Sequence, residues 1–540
     1  MAPYLGLRGN ALLRAAVMLV VCPTFTCYGY NMSVAGGLLT LDAFNSQFPR
    51  MDTIHTEGTL QQQNSQIQGR CMVIPMWMFL ANLYPPTGTV IALYTVGGIF
   101  GALSCVYLGD LWGRRKVIFI TNFVTIIGAI LMATSFQFAQ FIVARLVLGL
   151  GIGGYVATVP VWQSEISPSH KRGSNVVTDG IFVGLGVTLA LWIDLGFFFV
   201  KDNSVSWRFP LAFQVVMSVT AMIFITMLPE SPRWLIKTGK VEEGRKVLAA
   251  LLDADEHSDT INNNIRDIEA SLAYCGSGSW TNMFKNGEQR LFHRAYLAAT
   301  GQMFQQMCGV NLITYYATTI FEQYLGMDAV RARILAAAMG LMQPFGGYLA
   351  YYTIDRLGRR PLMLWSAGAM AICMAGLAGT TSDVAANNTG ALAMAVVFLY
   401  CFQFIFTVGY SGLTFLYAAE MAPLQVRAAV SAVSTATVWA FNFLLAQVTP
   451  VGFSTIGSRY YIVFAVVNAA IVPSVYFFFP ETKGRTLEEI DEIFAQSKNI
   501  FDPPRVARAM QKRTVHVGES NSDAENTGSN DDVLKEEVKA

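Results

Sequence analysis

Stretches of about 20 predominantly apolar residues, the length that crosses a bilayer as a helix, recur along the whole chain. They lie near 13–39, 89–108, 117–136, 140–162, 176–200, 209–228, 296–320, 332–354, 362–380, 391–416, 428–448 and 460–479. Hydrocarbon leaves a spanning backbone to satisfy its own N–H and C=O groups, so each segment is predicted to be a helix. Between the sixth and seventh, a polar span from Pro229 to Arg294 with nine Lys and Arg divides the twelve segments into two groups of six. Basic residues also fill alternate connections, as Arg114-Arg115-Lys116, Lys171-Arg172, Arg356 with Arg359-Arg360, and Arg427. The opposite connections hold Arg50 alone between Asp42 and Gln68, and none between Thr381 and Gly390. The positive-inside rule then places both termini and the central span in the cytoplasm. The connection after Thr381 falls outside, where Asn387-Asn388-Thr389 offers Asn387 as a glycosylation acceptor.

One apolar segment breaks the pattern in a way that suggests chemistry. The stretch from Gln302 to Tyr316 carries Gln302, Gln305, Gln306 and Asn311 at helical spacing, four neutral amides with both donors and acceptors. Within a bilayer these groups must face a cavity, a ligand or another helix. Interhelical hydrogen bonding is the alternative use, but four amides around one segment favour a site for an uncharged solute rich in hydroxyls, such as a sugar or polyol.

Composition narrows the class. Only 14% of residues are charged, well below the roughly 25% of soluble domains, and a net charge of +1 gives no reason to expect nucleic acid. The eight cysteines show no metal spacing or disulfide framework and read as small packing residues. The five histidines form no triad or ligand pattern, so an enzyme, a metal site or a cofactor is not expected. The apolar run after Arg8 and Arg14 continues through Gly37 without a small-residue cleavage site, which predicts a first membrane helix in place of a removed signal peptide.

The loops repeat. Asp110-Leu111-Trp112-Gly113-Arg114-Arg115 returns as Asp355-Arg356-Leu357-Gly358-Arg359-Arg360, 245 residues on. Glu165 precedes Arg172 by seven residues, as Glu420 precedes Arg427, and Pro229-Glu230-Ser231-Pro232-Arg233 has its counterpart in Pro480-Glu481-Thr482-Lys483-Gly484-Arg485. Two homologous halves follow, the architecture of transporters that rock about a central cleft. Asp110, Glu165, Asp355 and Glu420 beside Arg114, Arg172, Arg359 and Arg427 are expected to form ion pairs at the cytoplasmic helix ends, a latch holding the outward-facing state. The glycines from Gly149 to Gly154 imitate a nucleotide fingerprint, but no strand precedes them and close helix packing is the better reading.

Pro229-Glu230-Ser231-Pro232-Arg233-Trp234-Leu235, Gln305-Gln306 with Gly309 and Asn311, and Pro480 to Glu489 together resemble the sugar porter family of the major facilitator superfamily over about residues 10 to 498, with the length and acidic tail of fungal members. The resemblance implies an all-α polytopic membrane protein of twelve transmembrane helices in two pseudo-symmetric six-helix bundles, the major facilitator fold. The domains expected are residues 1–228, a linker 229–295, residues 296–480 and a tail 481–540, disordered from about 515. Solute contacts carried over by the resemblance are Gln305, Gln306, Asn311, Gln343, Trp439 and Asn442, with Gln302 added by position. Tyr315 and Tyr316 match gate positions, with packing as the equal alternative. Arg145 matches a family arginine, and Glu165 is its expected partner.

The chain also departs from the family. Gly180, Thr407, Phe415 and Val438 stand where polar or indole contacts are usual, Gln343 replaces Asn, and Asp179 and Asp194 on the fifth segment are unusual. The expected solute is therefore another hexose, a pentose, a polyol or a less hydroxylated compound, and not specifically glucose. Arg70 to Gly88 interrupts the start of the second segment with Pro75, Pro85 and Pro86. A retained intron is the preferred explanation, an extracellular cap its rival. Asn31 stands where proton-coupled relatives carry Asp; Asn cannot titrate, so facilitated diffusion is favoured, with proton symport through Asp179 or Asp194 the alternative. A non-transporting nutrient receptor is the reading from another class. The protein is expected to work as a monomer in the plasma membrane, with the lipid bilayer and a sugar-like solute as partners and the proton as a further candidate.

Overall fold

The protein's structure is a computed structural model that describes residues 3–38, 41–49, 90–167, 172–201, 203–275, 283–284, 287, 289–384, 388–422, 426–485 and 487–510. The helices that build it are α1 (Gly9–Leu38), α2 (Val90–Trp112), α3 (Arg114–Ala133), α4 (Phe138–Ile166), α5 (Arg172–Phe198) and α6 (Val205–Ile225) in the first half. In the second half, α7 comprises Leu291–Met307 and Val310–Thr319, and α8 comprises Ala329–Gly340 and Met342–Leu357. Arg359–Val384 forms α9, Thr389–Phe406 continued to Met421 forms α10, Arg427–Ile456 forms α11 and Tyr460–Phe478 forms α12. No strand occurs among the described residues. Nine helices among the described residues are long and apolar enough to cross a membrane; α2, α7 and α8 are not counted with them. The expectation of twelve is thus met by nine on length and composition. α7 and α8 fall short because their helical runs are interrupted, at Cys308–Gly309 and at Leu341.

The seventh segment departs from the continuous helix its apolar pattern predicts. Gly309 sits at φ +102°, a left-handed conformation that costs glycine least, and divides α7 in two. Asn468 of α12 fills the gap, donating to the Cys308 carbonyl at 2.8 Å. α10 carries a comparable irregularity, a π turn over Thr407–Ser411, of the kind that concentrates at functional positions.

Glycine lets the helices of the first half approach backbone to backbone. A Cβ on Gly149 of α4 would lie 1.8 Å from the Tyr94 carbonyl oxygen of α2, and one on Gly153 would lie 2.1 Å from that of Gly98. On the other side of α4, Gly151 and Gly154 meet Thr125 and Thr121 of α3. The run Gly149 to Gly154 is thus a packing seam. The central span folds into short helices, Pro232–Lys237, Val241–Leu252 and Asp259–Cys275, which share a small core of Ile236, Leu248, Ile261, Ile265 and Ile268. After α12 come Leu487–Gln496 and Pro503–Ala509. The interruption at 70–88, Asn387 and the tail beyond Met510 lie outside the described residues.

Gly149→Val is expected to destabilise the protein by roughly 1–3 kcal/mol, because added methyls force the α2–α4 seam apart. Thermal unfolding in detergent measures it, and a parental midpoint would contradict the packing described.

Candidate functional site

The amides of α7 form a ladder. Asn311 donates from Nδ2 to Gln306 Oε1 at 2.5 Å, and Gln306 donates from Nε2 to Gln305 Oε1 at 3.2 Å. Gln305 in turn donates to the carbonyls of Tyr410 and Ser411, at 3.2 and 2.8 Å, in the π turn of α10. Gln302 Oε1 accepts from the Thr414 hydroxyl at 3.3 Å. All four amides are at least 95% buried. The ladder leaves Asn311 Oδ1 at its end without a hydrogen-bond partner among the described residues.

Around that end the second half contributes one face of α11. Asn442 accepts from the Tyr315 hydroxyl at 2.7 Å, while its Nδ2 has no partner among the described residues. Trp439 stands edge-on to Tyr28 of α1 and Tyr94 of α2, each with ring centroids 5.6 Å away, and its indole N–H is likewise unpartnered among them. Gly98 of α2 makes room for the indole, since a Cβ there would come within 2.6 Å. Tyr316 donates to the Ala446 carbonyl at 3.0 Å. The backbone of this part of α7 lies against α1: a Cβ on Gly36 would meet the Tyr315 carbonyl oxygen at 2.0 Å, and Ser33 donates to the Thr314 carbonyl at 3.5 Å. Both tyrosines are therefore packed and hydrogen-bonded at once. Gln343 of α8 is buried against Gly184 of α5. Gly180, one turn earlier, is within 3.0 Å of the Gly412 backbone when given a Cβ, so the side chain missing there brings α5 close to α10.

Sequence reasoning missed three polar partners. Gln403 of α10 donates to the Thr314 hydroxyl at 3.2 Å, Thr414 holds Gln302, and Asn468 holds the break in α7. Gln403 Oε1 and Asn31 Oδ1 are further buried acceptors with no partner among the described residues; Asn31 donates to the Cys27 carbonyl of its own helix at 3.1 Å.

The two ends of the loop repeat are built alike. Arg114 forks onto Glu165 with nitrogen–oxygen distances of 3.0 and 3.2 Å and also meets Asp110 at 3.3 Å. Arg359 forks onto Glu420 at 3.3 and 2.8 Å and meets Asp355 at 3.0 Å. Each cluster lies within one half. Glu230 accepts the backbone N–H groups of Arg114 and Arg115 at the start of α3, and Glu481 accepts those of Arg359 and Arg360 at the start of α9. These carboxylates cap helices whose first N–H groups would otherwise lack partners. Gly113 and Gly358, at φ +86° and +100°, let the carboxylates approach. Burial raises the Glu230 carboxyl above its ordinary value, against the pull of the N–H groups of Ser231, Arg115 and Arg114 and the Arg115 charge.

One expected pairing is corrected. Arg145 does not meet Glu165, whose two oxygens are held by Arg114. It is buried over the Phe141 ring at 5.7 Å, with Tyr94, Tyr315 and Tyr316 as its electrostatic neighbours. The side chains of Arg172 and Arg427 lie outside the described ones, as does Asn387.

Two helical halves meeting at a buried polar layer, with paired charge clusters at one end, define a multi-pass membrane transporter of the major facilitator fold. The family model described as "Sugar (and other) transporter" matches residues 16–494. The sugar transporter STL1 of Saccharomyces cerevisiae is 31% identical over 98% of this chain and 90% of its own. The MFS-type transporter oryC of Aspergillus oryzae is 35% identical over 78% of this chain and 80% of its own. Among solved structures, the proton:xylose symporter XylE bound to 6-bromo-6-deoxy-D-glucose superposes with a TM-score of 0.72 at 22% identity, covering 89% of this chain and 98% of that one. The chain belongs to the sugar (and other) transporter family. It is a transporter and not an enzyme, and the nutrient-receptor alternative has no support among these relatives.

Glu481→Ala strips the cap from α9 and is expected to cost about 1–3 kcal/mol, the penalty for buried N–H groups left unpaired. Thermal unfolding should show the loss; unchanged stability would mean that water replaces the carboxylate.

Proposed function

We propose that the protein carries a hexose, pentose or polyol across the membrane by alternating access, with Gln302, Gln305, Gln306, Asn311, Gln343, Trp439 and Asn442 as its solute contacts. The observation that supports this most is the set of buried polar atoms without a partner among the described residues, Asn311 Oδ1, Asn442 Nδ2 and the Trp439 indole N–H. Buried polar groups are rarely left so. Solute hydroxyls supply both donors and acceptors, and the indole face suits the C–H face of a pyranose or an extended polyol. The clusters of Asp110, Arg114 and Glu165 and of Asp355, Arg359 and Glu420, together with Arg172 and Arg427, form the latch at the cytoplasmic helix ends that holds the outward-facing state until rocking breaks it. Tyr315 and Tyr316 gate the site from α7. One chain contains every proposed contact, in keeping with a monomer, and we place it in the plasma membrane, where uptake of an external solute would require it.

For energy coupling we favour facilitated diffusion, because Asn31 offers no titratable group. Proton symport is the second reading, and one residue favours it. Asp179 is buried in α5 with Gln163 as its polar neighbour and no basic side chain among its electrostatic partners in the described residues. Asp194 is the weaker candidate, since its charge faces Arg333 of α8.

Gln306→Ala removes the middle of the ladder and should weaken apparent affinity several-fold, as expected from losing hydrogen bonds worth about 0.5–1.5 kcal/mol each. Gln305→Ala should follow it, with Gln302→Ala the mildest of the three. Radiolabelled uptake of a sugar and polyol panel in a transporter-null host measures the series, and parental affinity in both Gln305 and Gln306 variants would move the site elsewhere.

Facilitated diffusion predicts uptake that a protonophore leaves unchanged. Accumulation above the external concentration that collapses with the proton gradient would establish the second reading, and its loss in Asp179→Asn would locate the proton.

A further inference from the structure

A recess of about 990 Å³ lies away from the polar layer, where the end of α12 meets the segment after it. Its rim carries Arg290, Lys498, Arg505 and Arg508, and the carboxylate in it is Asp502. Asp502 is already committed, because its Oδ2 accepts the backbone N–H groups of Lys498 and Asn499 at 3.1 and 2.7 Å. The side chains of Lys498, Arg505 and Arg508 form no ion pair among the described residues. Arg290 donates to the Lys498 carbonyl, which fixes the rim without neutralising its charge.

Charge is drawn together here against its own repulsion. The guanidiniums of Arg508 and Arg360 lie over the same Tyr476 ring, at 5.8 and 4.9 Å from its centroid, and repel each other. Arg360 is 91% buried, and its Nε has no partner among the described residues. Four cations around the single carboxylate of Asp502 leave a positive excess in the recess, and Glu481 offsets only the charge of Arg360; an anion seated between the remaining cations stabilises them.

The surroundings say what kind of anion. Tyr476 and Phe477 occupy the last turn of the membrane-crossing α12, and Phe501 and Ile500 stand beside them, all four about half exposed. Large exposed apolar rings at the end of a spanning helix mark the level of the lipid headgroups. The positive-inside rule puts this end on the cytoplasmic face, where anionic lipids concentrate and where basic pockets beside membrane helices suit their headgroups.

We propose that this recess binds the headgroup of an anionic phospholipid, with the phosphate between Lys498, Arg505 and Arg508 and the first acyl carbons against Tyr476, Phe477 and Phe501. The lipid ties α12 to the helices that follow it. A soluble phosphate would satisfy the charges but leave the rings in water.

The test uses the full chain purified in detergent, with thermal unfolding read on adding phosphatidylserine, phosphatidylcholine or inorganic phosphate. Phosphatidylserine is expected to raise the midpoint while the other two do not. Arg505→Gln with Arg508→Gln should abolish the rise, and Arg505→Lys with Arg508→Lys should keep it. An equal rise with phosphatidylcholine, or a full phosphatidylserine response in the Gln variant, would overturn the proposal. An equal rise with inorganic phosphate would assign the recess to a soluble anion instead. A response seen only after Asp531→Asn, Asp532→Asn, Glu536→Gln and Glu537→Gln would make the acidic tail the occupant.

Discussion

An amide side chain placed among apolar helices has to find its partners inside the protein or in a solute, and much of the second half is arranged around that constraint. The α7 amides resolve most of it among themselves and pass the remainder to α10, where Gln305 reaches the carbonyls of Tyr410 and Ser411. Those carbonyls lie where the π turn interrupts the regular i to i+4 ladder. The break at Gly309 makes the same demand, which Asn468 meets by bonding the Cys308 carbonyl. Two local irregularities are thus paired with side chains that satisfy them. Asn311 Oδ1 at the end of the ladder, with Asn442 Nδ2 and the Trp439 indole N–H on α11, has no partner among the described residues, and this supports placing the solute there.

The charge clusters at the other end follow from a second constraint, the N–H groups at the start of a helix. Both α3 and α9 begin directly after a tight glycine turn, with no room for an ordinary side-chain cap from the preceding residue. Glu230 and Glu481 reach in from the ends of the sixth and twelfth segments instead. Each carboxylate thereby ties the last helix of its half to the third helix of that half. The Arg–Glu forks tie the same loops to the fourth, so each half is laced across its own helices and can move as one body.

The sequence showed what charge and polarity make conspicuous. The repeat was readable because Asp110 with Arg114 and Asp355 with Arg359 are charged residues in an apolar chain, and the amides of α7 were visible for the same reason. Backbone irregularity was not. Gly309 could be read as a packing glycine, and nothing in Thr407–Ser411 announces a π turn. Gln403 and Asn468 are not legible in the sequence, because one amide in an apolar helix gives no sign of what it faces. Spacing cannot decide between Arg114 and Arg145 as the partner of Glu165, since both arginines compete for one carboxylate. Arg114 wins on geometry, holding both oxygens, while Arg145 stays among aromatic rings.

Trp439, Asn442 and Ala446 fall three and four residues apart, on one face of α11, and that face joins three otherwise separate tasks. Trp439 touches the first half through Tyr28 and Tyr94, in edge-on contacts of the kind worth about 0.5–1.5 kcal/mol each. Asn442 holds the Tyr315 hydroxyl with its oxygen while its nitrogen has no partner among the described residues. Ala446 holds Tyr316 through its carbonyl. A solute that engages Asn442 Nδ2 acts on the amide that positions the proposed gate, and one that lies on Trp439 acts on the contact between halves. Neither adjustment requires a long relay. The three residues lie within about two turns of one helix, so the contact between halves, the unpartnered amide nitrogen and the bonds to Tyr315 and Tyr316 are neighbours along a single face.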